Sequence, residues 1–195
     1  MTRVLVTGFE PFGGADVNPS QKLVEALAAE PPDEVELATA VLPVVWVRAA
    51  DELAAALERE QPELVVCFGQ SDGLAHVAVE RFALNFDEGI DEEDEKRRAE
   101  IDPDGPVAYR SSLRVDMVVD ALRADGIPAA ASRDAGSFLC NHLFYVLMGT
   151  LAKRSVVRGG FVHVPLLPEQ ALDRAMPTAP LETLVRAARI ILAAA

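Results

Sequence analysis

Short apolar runs alternate along the chain with longer stretches in which apolar residues recur every three or four positions. The runs Val4–Thr7, Val35–Leu42, Leu64–Phe68, Val77–Leu84, Ala129–Ser132 and Gly160–Val164 are too brief for helices and too continuously apolar for one-sided strands. They predict strands buried on both faces. The intervening spacing predicts helices over Pro19–Ala29, Val47–Glu60, Leu113–Asp125, Asn141–Lys153 and Leu181–Leu192. Strands alternating with helices predict an α/β domain with helices covering the sheet. Two boundaries carry their own chemistry. Asn18-Pro19 offers a side-chain acceptor at an N-cap and proline at the first helical position. Gly126 falls where a left-handed C-cap would follow Asp125, and Pro128 prevents continuation.

The chain's 195 residues suffice for one domain with a real core and are short for two, and no repeat or linker divides them. One segment breaks the pattern: Asp87 to Asp104, DEGIDEEDEKRRAEIDPD, dense in charge and poor in apolar residues. It is expected to be an exposed, mobile excursion, of the kind that forms lids or stays disordered. Its acidic residues lack the ligand spacing and sharp glycine turn of a calcium loop, so they read as solvated surface and no metal site is expected.

Charge narrows the partners. With 31 acidic against 18 basic residues, the formal charge is −13. Such a surface repels phosphate backbones and anionic headgroups, which argues against nucleic acid and membrane partners. The apolar start is broken by Gly8 and Glu10, and the terminal IILAAA run is far too short to cross a bilayer. The expectation is a cytoplasmic protein whose two cysteines, Cys67 and Cys140, are free thiols.

The two thiols differ in setting. Cys67 lies within LVVCF, where burial raises a thiol's pKa and denies access, so it reads as core. Cys140 opens the amphipathic stretch NHLFYVLMGTLAK. At a helix's first turn the end of the macrodipole favours thiolate, and free backbone N–H groups could receive an oxyanion. Of three histidines, His142 is two residues beyond Cys140, a spacing that does not face it on a helix, and His76 precedes a strand. His163, in GGFVHVP at a strand end, could reach a helix N-terminus, or could be a hydrogen-bonded core histidine. Glu80 is the one carboxylate inside the apolar run HVAVERFALN and is costly to bury unpaired. Its neighbour Arg81 points to the opposite face, leaving a histidine on another element as the better partner.

These residues fall within longer blocks. GFEPFGG spans Gly8–Gly14, followed by Asn18-Pro19-Ser20, Gly69-Gln70, Glu80 through Asn85, Gly105-Pro106, Ala108-Tyr109 and Gly126-Ile127-Pro128. SRDAGSFLCNHLFY covers Ser132–Tyr145, and GGFVHVPLLPEQ covers Gly159–Gln170. Together they closely resemble the pyroglutamyl peptidase I, or pyrrolidone-carboxylate peptidase, family over nearly the whole chain.

The resemblance implies a three-layer α/β/α fold with a twisted mixed sheet, and a homo-oligomer, dimer or tetramer. It implies a cofactor-free thiol exopeptidase acting on peptides with N-terminal pyroglutamate, with Cys140 as nucleophile, His163 as base and Glu80 orienting the base. It further assigns Phe9, Phe12, Gln70, Ile90, Phe138 and Leu139 to the lactam pocket. Two blocks depart from the family. Where relatives carry Asp-Ala-Arg-Ile-Pro-Asp-Asn, this chain reads Asp87-Glu88-Gly89-Ile90-Asp91-Glu92-Glu93, with Gly89 in the arginine's place. After Gln70 the usual Gly-Gly-Arg gives way to Ser71-Asp72-Gly73-Leu74. Both changes leave the three catalytic candidates untouched and imply a more mobile loop over the site. A weakened binder of pyroglutamyl termini and a thiol amidohydrolase acting on a related lactam are the alternatives.

Overall fold

The apolar runs form the middle of one mixed sheet in the computed structural model, which describes residues 1–154 and 156–195. The strands are β1 (Thr2–Phe9), β2 (Val35–Leu42), β3 (Leu64–Gln70), β4 (Val77–Leu84), β7 (Ala108–Arg110), β8 (Ala129–Asp134) and β9 (Arg158–Val164). They lie in the order β2-β1-β3-β9-β4-β7, with β8 also paired to β4. The pairs β1–β2, β1–β3, β3–β9 and β4–β8 are parallel, whereas β4 meets β9 and β7 antiparallel.

Alternate residues of each central strand feed two separate cores. Val4, Val6, Val66 and Phe68 pack with helices α1 (Pro19–Ala29), α3 (Val115–Ala124) and α5 (Leu181–Ala194). Leu5, Phe9, Val65 and Cys67 pack on the other face, with α2 (Trp46–Glu60) and α4 (Leu139–Leu151). This is the expected three-layer α/β/α arrangement, and it follows from the period-two geometry of strands apolar on both sides. The capping signals also act as read: the Asn18 side chain accepts from Ser20 N–H at 2.9 Å, and Gly126 takes φ +76° after α3.

The charged segment is exposed over most of its length, as expected, but it is built rather than irregular. Asp87–Ile90 and Lys96–Ala99 form a small antiparallel hairpin, β5 and β6. Two of its acids are buried, Asp87 and Asp91. Asp91 Oδ1 accepts the N–H groups of Glu93 and Glu95, and Oδ2 accepts that of Trp46, capping α2 from afar. Burial alone would push the Asp91 carboxyl up, but these three backbone donors, with Arg97 nearby, hold it below its ordinary value. Trp46 returns a bond through its indole N–H to Glu95 O, and the Arg97 guanidinium lies 5.3 Å over its ring. The segment is therefore docked on the domain rather than excursive.

Candidate active site

Helix α4 begins at Leu139, two residues earlier than its apolar periodicity predicts, which puts Cys140 within the first turn. Its N-cap, Phe138, is extended and supplies no side-chain cap, and the first N–H bonded back within the helix is that of His142, to Phe138 O. The N–H groups at the helix start are thus left for a ligand. Asn141 fixes this end. Fully buried, it accepts from Leu84 N–H and donates to the carbonyls of Leu84 and Phe86, tying α4 to the end of β4. Sequence reasoning passed over this residue. Its signal is an amide side chain in an otherwise apolar helical stretch.

His163, on β9, stands between Gly69 on β3 and Ala78 on β4. Its Nδ1 is 2.8 Å from Glu80 Oε1, both side chains being buried, while Glu80 Oε2 has no protein partner. The remaining ring nitrogen, Nε2, is left for the Cys140 sulfur, which lines the same cavity. Burial would lower the imidazole's pKa, but the sulfur and Glu80 outweigh it and push His163 up to about 10. Gly69 makes room for the thiol: a Cβ there would lie 2.9 Å from Cys140 Sγ and 2.7 Å from Phe161 Cζ. Cys67 is wholly buried, and burial pushes its thiol up to about 12. Both cysteines are free.

Cys140, His163 and Glu80 line one cavity of about 440 Å³, together with Phe9, Phe12, Gln70, Phe138 and Leu139. Eight of the nine predicted site residues are thereby brought together. Ile90 is not: it is 56% exposed on β5 and does not line the cavity. Its placement has a local cause. Gly89 adopts φ +153° and its backbone lies against the Phe138 ring, so the hairpin presents main chain, not the Ile90 side chain, to the pocket wall. Leu74, one of the departures, does line the cavity.

The walls are held at several points. Phe9 N–H donates to Ser20 Oγ at 3.0 Å, and Gln70 Oε1 accepts from Gln170 Nε2 at 3.0 Å. Trp46 sets its ring edge-on to Phe138, centroids 5.2 Å apart, and to His142, 5.5 Å apart. His142 faces away from Cys140 and meets Asp87 Oδ2 at 2.8 Å. Glu88 N–H donates to Ser137 O at 2.7 Å, joining the hairpin to the loop before the thiol. Among the described residues, no group of three or more His, Cys, Asp or Glu side chains is arranged to hold a metal ion. Chemically, the cavity sets a thiol, an imidazole, free N–H groups at a helix start and aromatic side chains side by side, groups that can serve nucleophilic attack on a carbonyl and bury a small neutral ring.

Comparison with known proteins follows the same lines. The family model for pyroglutamyl peptidase matches residues 2–195. The pyrrolidone-carboxylate peptidase of Bacillus licheniformis is 44% identical over 192 residues, covering 96% of this chain and 89% of that protein. That of Streptomyces coelicolor is 44% identical over 206 residues, covering 100% and 92%. The crystal structure of Bacillus amyloliquefaciens pyroglutamyl peptidase I superposes with a TM-score of 0.96 at 36% identity, covering 100% of this chain and 97% of that one.

Proposed function

The chain belongs to the pyroglutamyl peptidase family, and on that premise we propose how its cavity works as a cysteine-type peptidase that removes N-terminal pyroglutamate. Cys140 is the nucleophile, His163 the base and then acid, and Glu80 the group that orients and charges the imidazole. The supporting observation is that one cavity holds the first-turn thiol, the buried His163–Glu80 pair and an aromatic wall together.

The steps follow from that arrangement. With the thiol proton on His163 Nε2, the sulfur adds to the pyroglutamyl carbonyl carbon. The oxyanion is received by the free N–H groups at the start of α4. His163 then protonates the departing amine, the C–N bond breaks, and a thioester remains on Cys140. Water, giving a proton to His163, hydrolyses the thioester and releases pyroglutamate. Phe9, Phe12, Phe138 and Leu139 bury the faces of the lactam, and Gln70 supplies a polar contact to its amide edge. A site that demands those hydrogen bonds rejects proline, which lacks the ring carbonyl.

A reducing compartment, the cytoplasm, suits an enzyme whose nucleophile is a free thiol, and among the described residues no helix is long and apolar enough to cross a membrane. We also propose a homo-oligomer, dimer or tetramer. Exposed Phe82 and Met117 supply apolar surface for such an assembly.

The test is release of a fluorescent amine from a pyroglutamyl amide under reducing conditions, by the protein and by its Cys140→Ala and Cys67→Ala variants. Turnover by the protein and by Cys67→Ala, and none by Cys140→Ala, is the expected result. Retained turnover in Cys140→Ala would remove the nucleophile from this reading, and binding of the amide without turnover by any form would point to a binder.

A further inference from the structure

The cavity is ordered by the sheet beneath it. Phe9 ends β1 with Phe12 just beyond, Gln70 ends β3, His163 lies on β9, Ala78 and Glu80 on β4, and Ser132 and Asp134 on β8. In the sheet these strands follow one another as β1-β3-β9-β4, with β8 against β4. The catalytic pair therefore sits mid-cavity, with an aromatic end on the β1 side and a polar end on the β8 side. Phe138 belongs to the aromatic end through its contact with Trp46 on α2.

A substrate that places its neutral ring among the aromatic side chains and its leaving nitrogen at His163 Nε2 must continue in one direction. His163 is in register with Ala78 and Glu80 with Ser132, so the leaving chain runs over β4 onto β8. Ser132 and Asp134 are two residues apart on β8 and share its cavity face. The first leaving residue thus lies against Ser132 and Asp134, with Leu74 and His76 lining the same cavity.

Charge then decides which side chain fits. No lysine or arginine lines the cavity among the described residues, and the Glu80 charge is matched by His163. Asp134 is different. Its Oδ1 accepts the N–H of Gly136 at 3.1 Å, and it makes no ion pair with any described residue. It leaves one uncompensated negative charge at the leaving end of the cavity, in a chain of formal charge −13.

We propose that Asp134 is a specificity-determining residue, selecting substrates whose first leaving residue carries a cationic side chain over those with an anionic one. This rests on the peptidase reading, and the experiment separates the two. The probes are pyroglutamyl-arginine, pyroglutamyl-glutamine and pyroglutamyl-glutamate amides, with pyroglutamate release followed by chromatography. At low salt kcat/KM should fall in the order arginine, glutamine, glutamate, by about tenfold between the extremes, the size of one unit charge acting across a partly solvated site. The ratio should shrink toward one in molar salt, which tests the point without a variant. Asp134→Asn keeps an acceptor for Gly136 N–H and should collapse the ratio at low salt. An arginine-to-glutamate ratio near one in the unaltered protein, or an unchanged ratio in Asp134→Asn, overturns the inference while leaving the peptidase intact. No turnover of any of the three, the neutral glutamine substrate included, removes the peptidase reading and the inference with it.

Discussion

Replacing Gly69 by alanine should disable the enzyme by displacing its sulfur rather than by unfolding the sheet. The added Cβ would sit 2.7 and 2.9 Å from Phe161 ring carbons and 2.9 Å from Cys140 Sγ, closer than side chains approach one another. One neighbour must yield. Phe161 is fully buried, with Phe9, Phe144 and His163 rings at 6.4, 6.0 and 5.0 Å, and has nowhere to go. Strand β3 is held on both edges, Gly69 itself opposite His163, so the backbone cannot slide. Cys140 is only partly buried and turns about one bond, so the sulfur moves, and it moves off His163. Overpacking costs about 1–3 kcal/mol, against about 0.5–1 kcal/mol regained because alanine loses less backbone entropy than glycine in a strand. Net destabilisation is therefore about 0–2.5 kcal/mol, too little to unfold a domain. A nucleophile misplaced by about 1 Å loses on the order of 100-fold in rate. The assay pairs kcat on a pyroglutamyl amide with a urea melt and the alkylation rate of Cys140. A folded protein with kcat at least 100-fold down and slower alkylation is expected. A folded variant turning over within threefold of the parent, on the scale of a single weak contact, would refute the claim that Gly69 makes the room for the thiol.

Glu80→Gln should lower kcat by about 100- to 10,000-fold with KM nearly unchanged, because it removes the charge facing His163 Nδ1 while leaving the aromatic wall of the pocket in place; a rise in KM with kcat intact would make Glu80 a structural acid. The folded-state pKa of His163, raised from 6.5 to about 10, contributes stability that is complete below pH 6.5 and lost as pH rises through 10. Thermal melts between pH 6 and 10.5 should show that decline, and Cys140→Ala, which removes the largest raising influence, should bring its upper edge to lower pH. Asp87→Ala leaves His142 without its buried partner and should cost about 1–3 kcal/mol in a denaturant melt, while raising KM through the hairpin that backs Phe138. Gly89→Arg, which installs the arginine that the family resemblance implies at this place, should raise KM rather than improve turnover, as steady-state kinetics would show.

The strands and helices were legible because each carries its own local period, and β2, β4 and α1 begin and end where their apolar runs do. The proposed catalytic residues were legible only through family blocks. Composition could not distinguish His163 from an ordinary core histidine, since its meaning lies in a 2.8 Å bond to a residue 83 positions away. The hairpin of β5 and β6 was misread for the same reason. Asp87 and Asp91 look solvated among other acids, yet their partners, His142 and Trp46, lie 55 and 45 residues away. The short edge strand β7, three residues long, has too little sequence to show a period. Gly69 gives no signal of its role either, because the space it leaves is used by another element.

The hairpin also changes what the missing arginine means. A charged, glycine-containing loop suggests a lid that has lost its side-chain contact and gained mobility. In the fold, Gly89 has φ +153°, a region that only glycine adopts without strain, and a Cβ there would meet Phe138 Cδ2 at 2.5 Å. Backbone thus occupies the place from which a side chain would reach the site, and it braces the aromatic wall directly. Asp87 and Glu88 pin the same strand to His142 and Ser137, on either side of Cys140. Arg97, paired with Asp87 and stacked on Trp46, closes the arrangement from outside. The contacts that bear on Phe138 itself are therefore packing and a main-chain bond, backed by the Asp87 pairs to His142 and Arg97, in place of a guanidinium at the pocket. It follows that lactam binding in this chain should depend on the rigidity of the hairpin, whereas charge selection is left to Asp134 at the other end of the cavity.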